Sequence, residues 1–154
     1  MATNTRSPAH TLRHRPGWFR PIPLRSRRDG WSEGRQCAFL VQLYVTGSVT
    51  AAARAVGMSR ASAYRLRTRG GAESFAHAWD RVLSLPRWER AEAPREDFRK
   101  VTTATLMARL DRALVQPVVY RGAMAGIRTK PDISTLLRVA RRTGRGPGDP
   151  HERG

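Results

Sequence analysis

The order of apolar and polar residues predicts an amphipathic helix after the first fifth of the chain. Phe39, Leu40 and Leu43 recur at the spacing that puts side chains on one side of a helix. They predict a helix over residues 33–46, and Ser32 before it is a residue type preferred at helix N-caps. One side of this helix is therefore expected to face a core.

Two shorter helices are predicted next, with a single glycine between them. The second helix starts after Ser48 and stops at Gly57, where a bend needs a left-handed backbone. Ser59 is the expected N-cap of a third helix over residues 60–69. The small or apolar residues that we expect to lock these two helices against the first are Ala52, Ala53, Val56, Met58, Ala63 and Leu66.

Prolines limit the two helices predicted after these. The fourth helix covers residues 73–85 and Pro86 ends it, because proline lacks the N–H that a helix interior requires. Trp79 within it is expected to be a core residue rather than a platform for base stacking. The fifth helix is predicted over residues 96–115, after Pro94.

A small β-hairpin is predicted near the end of the chain. Residues 118–120 are good strand formers, and residues 124–128 are the expected returning strand. Gly122 and Ala123 suit a two-residue turn that has glycine first. A short final helix is predicted over residues 131–139. Such a hairpin is marginal alone, so it is expected to pack on neighbouring helices or on a second chain.

The charge of the chain adds a class of partner to this picture. Lys plus Arg number 29 and Asp plus Glu number 12, which gives a net charge of +17 and a pI near 11.8. Such a field attracts polyanions, of which nucleic acid is the commonest and a membrane surface the second candidate. A genome whose base composition favours arginine codons is an alternative source of the same charge.

The third predicted helix carries this charge in an ordered way. Arg60, Tyr64 and Arg67 are spaced by four and three residues, and Arg65 and Thr68 lie on the adjoining stripe. With the second helix and its glycine, the pattern predicts a helix-turn-helix whose recognition helix enters the major groove of double-stranded DNA. The candidate DNA-binding residues are Ser59, Arg60, Ser62, Tyr64, Arg65, Arg67, Thr68 and Arg69.

Different roles are expected within this set. Arg60, Tyr64 and Arg65 are expected to carry most of the binding, because arginine can make a bidentate contact with guanine. Ser62 and Tyr64 can donate to phosphates. The structural alternative is an ordinary helical hairpin with a solvated arginine face. The functional alternative is a protein-interaction scaffold whose charge is incidental.

A resemblance to a known family rests on the same stretch. The chain resembles phage terminase small subunits and related homeodomain-like proteins of bacteria in the segment GSVTAAARAVGMSRASAYR. The later segments PVVYRGAMAG and DISTLLRVARR resemble the hairpin and the helix that follow in terminase-small-subunit-like proteins. The resemblance implies a DNA-packaging adaptor that forms a homo-oligomer and recruits a terminase large subunit. The proline-interrupted spacer PRWERAEAPRED departs from the pattern, and a bacterial transcriptional regulator is the alternative.

Four segments are expected along the chain. Residues 1–30 are predicted to be a disordered basic arm, which either tracks a phosphate backbone or is a solvated tail. Residues 31–85 form the DNA-binding domain, and residues 86–143 form a helical and hairpin segment for accessory contacts or oligomerisation. Residues 144–154 are a predicted disordered tail. The fold class is thus mainly α, with a tri-helical helix-turn-helix domain, a C-terminal helix and a small β-hairpin.

Catalytic chemistry finds little basis in the sequence. Cys37 is the single cysteine, which excludes an internal disulfide, and it is expected to be a buried, inert thiol. His77 and Asp80 are expected to form a pair on a helix surface rather than an active site. No enzyme activity, cofactor, metal ion or membrane contact is predicted. The expected location is the cytoplasm, on the nucleoid.

Overall fold

The structure is a computed structural model that describes residues 13–24, 28–84 and 99–144. Within these ranges the chain forms six helices and one two-stranded antiparallel sheet, so the predicted mainly helical fold with a small hairpin is confirmed. The elements in chain order are α1 (Glu33–Thr46), α2 (Val49–Ala55), α3 (Arg60–Arg67), α4 (Glu73–Leu83), α5 (Thr103–Leu110), β1 (Leu114–Tyr120), β2 (Ala123–Lys130) and α6 (Ile133–Thr143). The predicted tail lies outside the described residues beyond residue 144.

Local capping explains where the first three helices begin. Ser32, Ser48 and Ser59 each accept a hydrogen bond from the backbone N–H three residues later, at 3.2, 3.2 and 3.0 Å. Gly47 and Gly57 have φ angles of 66° and 76°, a conformation that glycine adopts without steric cost. The chain therefore turns sharply after α1 and again after α2.

Aromatic side chains form the centre of the core. The Phe39 ring on α1 lies 5.5 Å from the Trp31 ring and 4.9 Å from the Trp79 ring, measured between centroids. Phe75 on α4 lies 6.0 Å from Phe39. Such tilted and edge-on pairs add to the stabilisation that burial itself provides. The prediction that Trp79 is a core residue is confirmed, since it is 2% exposed.

The segment before α1 packs against this core. Phe19 is 1% exposed and forms a short antiparallel bridge with Val115 of β1, with N–H···O distances of 2.9 Å in both directions. The backbone N–H and C=O of Ile22 bond to the side-chain amide of Gln36, at 2.8 and 3.0 Å. The prediction of a disordered arm is therefore wrong for residues 13–24. Single apolar residues between prolines show no periodicity, yet they fill the core.

The boundary between the fifth helix and the hairpin also differs from the prediction. The helix α5 ends at Leu110, whereas the apolar pattern predicted a helix that continues to Val115. Val115 instead lies in β1, between the bridge to Phe19 on one side and Thr129 of β2 on the other. Because both partners are distant in sequence, the local pattern did not indicate them.

The hairpin turn is formed by Arg121 and Gly122, not by Gly122 and Ala123 as predicted. Both turn residues have positive φ angles, 50° and 77°, and positive angles at both central positions match the right-handed twist of the strands. The register shifts by one residue between Val118 and Val119, which marks a β-bulge. Both strands are longer than predicted.

An ion pair ties the N-terminal segment to α6. The Arg20 guanidinium donates to the Asp132 carboxylate at 2.6 Å, and the Thr135 hydroxyl donates to the same carboxylate at 2.6 Å. Burial acts to raise the pKa of Asp132, but the hydrogen bonds from Thr135 and Arg20 outweigh it and hold that pKa below its ordinary value. The Arg20 backbone N–H also donates to Ser74 at 2.7 Å.

We expect Asp132→Asn to lower the free energy of unfolding by about 1.5–3 kcal/mol at pH 7, the range for hydrogen bonds to charged groups. Asparagine also caps helices, so the loss reflects the charge. Because folding lowers the pKa of Asp132, its contribution to stability is complete above pH 3.8, the ordinary pKa of an aspartate. The contribution is lost as the pH falls through the lower pKa of the folded state. Urea unfolding of the parent and the variant, measured at pH 7 and at acidic pH, tests this difference in free energy. The control is Asp80→Asn, whose exposed ion pair contributes about 1 kcal/mol or less.

Cys37 is completely buried in α1. Burial first, and the nearby Glu33 carboxylate second, raise the pKa of the thiol to about 12. The thiol is therefore protonated and unreactive at neutral pH. No helix in the described part of the chain is long and apolar enough to cross a membrane.

Candidate nucleic-acid interface

The inner side of α3 is fixed by the core. Ala63 and Leu66 are buried, and the backbone N–H of Met58 donates to the Ala53 carbonyl at 2.9 Å across the turn before α3. Of the six residues expected to face inward, four are buried (Ala52, Ala53, Ala63 and Leu66), and Val56 and Met58 pack half-buried against the core. The outward direction of the remaining α3 side chains follows from this packing.

The outer side of α3 and of the two residues after it forms an exposed arc. It consists of Arg60, Ala61, Tyr64, Arg65, Thr68 and Arg69, and it holds no carboxylate. Ala61 is the member that sequence reasoning did not select. On the helix surface Ala61 is next to both Tyr64 and Arg65, which follow it by three and four residues, or about one helical turn. Its small methyl group allows a ligand to approach α3 closely at this point. Its spacing of three and four residues from these side chains was the available signal.

One edge of the arc is a stacked series of side chains, which we call the aromatic ladder. The Arg60 guanidinium carbon lies 5.3 Å from the centre of the Tyr64 ring, and that ring lies 5.3 Å from the Trp79 ring. Arg67 lies 4.9 Å from the Trp79 ring and forms two hydrogen bonds with Asp80, at 2.9 and 3.1 Å. The ladder therefore runs from α4 to the exposed N-terminal turn of α3 through cation–π and ring contacts.

Arg67 occupies a different position from the one that its sequence spacing suggested. It is half-buried at the edge of the arc, and Asp80 neutralises its charge through a bidentate pair. The partner of Asp80 in the structure is Arg67, whereas the sequence led us to expect a surface pair with His77. We therefore assign Arg67 to the support of α3 rather than to direct contact with a ligand.

The opposite edge of the arc borders an open hollow of about 650 Å³, which we call the α3 hollow. Its lining consists of Trp31, Ser62, Arg65, Leu66 and Arg69. The Trp31 indole N–H donates to the Ser62 hydroxyl oxygen at 2.8 Å and so links the segment before α1 to α3. The hollow thus combines an apolar floor with two arginines.

Three hydroxyl groups predicted to bind DNA already hold local structure. Ser59 caps α3, and Ser62 accepts from the Trp31 indole. The Thr68 hydroxyl lies 3.2 and 3.1 Å from two carbonyl oxygens of the preceding turn, to which it donates. The two serine oxygens act as acceptors in these contacts, so their hydrogens remain available to a ligand, whereas the Thr68 hydrogen is used.

The described residues contain no group of three or more His, Cys, Asp or Glu side chains that could hold a metal ion. The exposed arc carries three arginines and the Tyr64 hydroxyl, so its chemistry is that of cations and hydrogen-bond donors. Such an arc can attract anions and form directional hydrogen bonds with them.

No protein-family model matches the chain, and neither a curated protein nor a solved structure does.

Proposed function

We propose that this protein binds double-stranded DNA through a helix-turn-helix formed by α2 and α3, with α1 and α4 as support. The observation that carries the proposal is the exposed arc of α3, which presents arginines and no carboxylate. On the opposite side of the helix, Ala63 and Leu66 are buried in the core and fix the orientation of the arc. A solvated arginine face explains the charge alone. It does not explain why the same helix also has a buried opposite side, a serine N-cap and a sharp turn before it.

The dimensions of α3 suit the major groove, which admits one helix. The N-terminal part of a recognition helix lies nearest the base edges. Arg60 stands there, and its guanidinium can bond to O6 and N7 of guanine. Ala61 is small enough for apolar contact with the methyl group of thymine. Each good base contact contributes about 1–3 kcal/mol of discrimination.

The charge of the whole chain supports the affinity rather than the specificity. A net charge of +17 speeds the encounter with a polyanion. Each phosphate that a basic side chain neutralises releases a counterion, so affinity falls as salt rises. We therefore expect the protein to bind DNA of any sequence weakly and a duplex with its preferred sequence more tightly.

The resemblance to terminase small subunits motivates a narrower proposal, that the DNA binding serves the packaging of phage DNA. It includes a homo-oligomer and a terminase large subunit as partner. Transcriptional regulation is the competing role. A large-terminase gene beside this gene favours packaging, and analytical ultracentrifugation that finds only monomer contradicts the oligomer.

Selection of bound sequences from a random duplex pool, at two salt concentrations, tests the proposal directly. We expect an enriched sequence whose affinity, measured by fluorescence anisotropy, falls steeply with salt. No enrichment and no duplex binding would support the protein-interaction scaffold instead.

We expect Arg65→Ala to weaken duplex binding by about 1.5–3 kcal/mol, because a charge-assisted hydrogen bond is lost. The matched control is Arg128→Ala, which removes one exposed arginine from β2. It should weaken binding far less, and circular dichroism should show both variants folded. Equal losses in the two variants would contradict a role for α3, because net charge alone would then account for binding.

A further inference from the structure

We propose that the α3 hollow holds one phosphate of the DNA backbone between Arg65 and Arg69. This inference rests on the proposed function, and it assigns Arg65 to the backbone rather than to a base edge. It divides the exposed arc into two halves with separate tasks. Arg60 with the aromatic ladder faces the bases, and the α3 hollow sets the position of the protein along the duplex.

The distribution of charge carries the first step. Asp80 neutralises Arg67, and the Arg60 guanidinium lies on the Tyr64 ring. In contrast, neither Arg65 nor Arg69 forms an ion pair with any carboxylate that the structure describes. Arg60, Arg65 and Arg69 therefore keep their positive charge, and two of these three arginines line the α3 hollow.

The positions of these two arginines carry the second step, because Arg65 and Arg69 line the same hollow. Arg65 lies in the last turn of α3 and Arg69 lies two residues beyond its end, so their two long side chains can both reach one small anion in that hollow. The polar contact recorded for the Arg65 side chain is a long one, from Nε to the Ala61 carbonyl at 3.4 Å. Its terminal nitrogens therefore remain available to donate. Hydrogen bonds between a guanidinium and a phosphate are both charged and directional.

The lining of the hollow carries the third step. Trp31 and Leu66 form an apolar floor, and the guanidinium groups only donate hydrogen bonds. The Ser62 oxygen accepts from the Trp31 indole, which turns the Ser62 hydroxyl into a further donor. Guanine also shows only acceptors in the major groove, but it carries no charge, whereas a phosphate is an anion. Because two guanidinium groups line the α3 hollow, it matches a phosphate better than a base.

A scan of the selected duplex with neutral methylphosphonates tests this assignment. One phosphate at a time is replaced, and affinity is measured for the parent, Arg69→Gln and the control Arg128→Gln. We expect the parent and the control to lose about 10–100-fold at the phosphate in the hollow, the equivalent of one charged hydrogen bond. Arg69→Gln should lose several-fold less there than the parent does, because one of the two guanidinium contacts is already gone while that of Arg65 remains.

The same variants give a second measurement. The slope of log affinity against log salt should fall by about 0.9 in Arg69→Gln, the value for one phosphate contact. Equal sensitivity of the parent and Arg69→Gln at every phosphate would overturn the proposal. So would a changed base preference in Arg69→Gln without a change in phosphate sensitivity. Absence of duplex binding by the parent would remove the proposed function itself, which is a different result.

Discussion

Replacement of Phe19 by alanine is expected to lower the free energy of unfolding by about 3–5 kcal/mol, the usual cost of truncating a buried phenylalanine. The ring is almost completely buried and lies 6.0 Å from the Phe75 ring. The backbone bridge to Val115 survives the substitution, because it uses no side-chain atom. Urea unfolding, followed by circular dichroism, measures the loss.

The neighbouring aromatic residue provides the control for this prediction. Trp18 is half-buried and its recorded ring contact is with the exposed Lys130, at 4.4 Å. A cation–π contact of this kind contributes about 1 kcal/mol or less. Trp18→Ala should therefore cost much less than Phe19→Ala. Losses of the same small size in both variants would show that the segment before α1 adds little to the core.

The parts of the fold that the sequence predicted well depend on local interactions. Ser32, Ser48 and Ser59 act on backbone groups three residues away, so their capping role is visible in a short window. The buried side of α3 follows from the three-residue spacing of Ala63 and Leu66. These features needed no knowledge of the rest of the chain.

The parts that the sequence missed depend on partners far apart in the chain. Phe19 meets Val115, and neither residue sits in a pattern that identifies the other. The sequence predicts that Arg67 is available to DNA, whereas in the structure Asp80 on the next helix neutralises its charge. Tertiary packing, rather than helix propensity, decides such cases.

The candidate site shows the same division. Five of the six residues of the exposed arc were predicted from helical periodicity, and Ala61 was not. The separation of the arc into the aromatic ladder and the α3 hollow was not predicted, because that separation depends on Trp79 from α4 and Trp31 from before α1. Two tryptophans, one on each side, thus give equivalent arginines different surroundings. The different tasks that we propose for these arginines follow from those surroundings.

Tyr64→Leu should weaken binding to the selected duplex by nearly as much as Arg60→Ala, about 1–3 kcal/mol, and relax the preference at the same base pair. The Tyr64 ring supports the Arg60 guanidinium at 5.3 Å and rests in turn on Trp79. In the parent, the aromatic ladder already restricts the Arg60 side chain. Without the Tyr64 ring, Arg60 is free before binding and must lose that side-chain entropy when it contacts the duplex. Affinity measurements and sequence selection test both parts.

The double variant of Arg60 and Tyr64 separates positioning from independent contact. If the ring acts through Arg60, Arg60→Ala combined with Tyr64→Leu should cost little more than either change alone. Tyr64→Phe keeps the ring and should bind almost as the parent does, whereas a hydroxyl that donates to a phosphate would make that variant weak as well. Additive losses in the double variant would show that Tyr64 contacts the duplex independently. Near-complete coupling would instead show that the ladder prepares Arg60 before DNA arrives, which lowers the cost of ordering the contact.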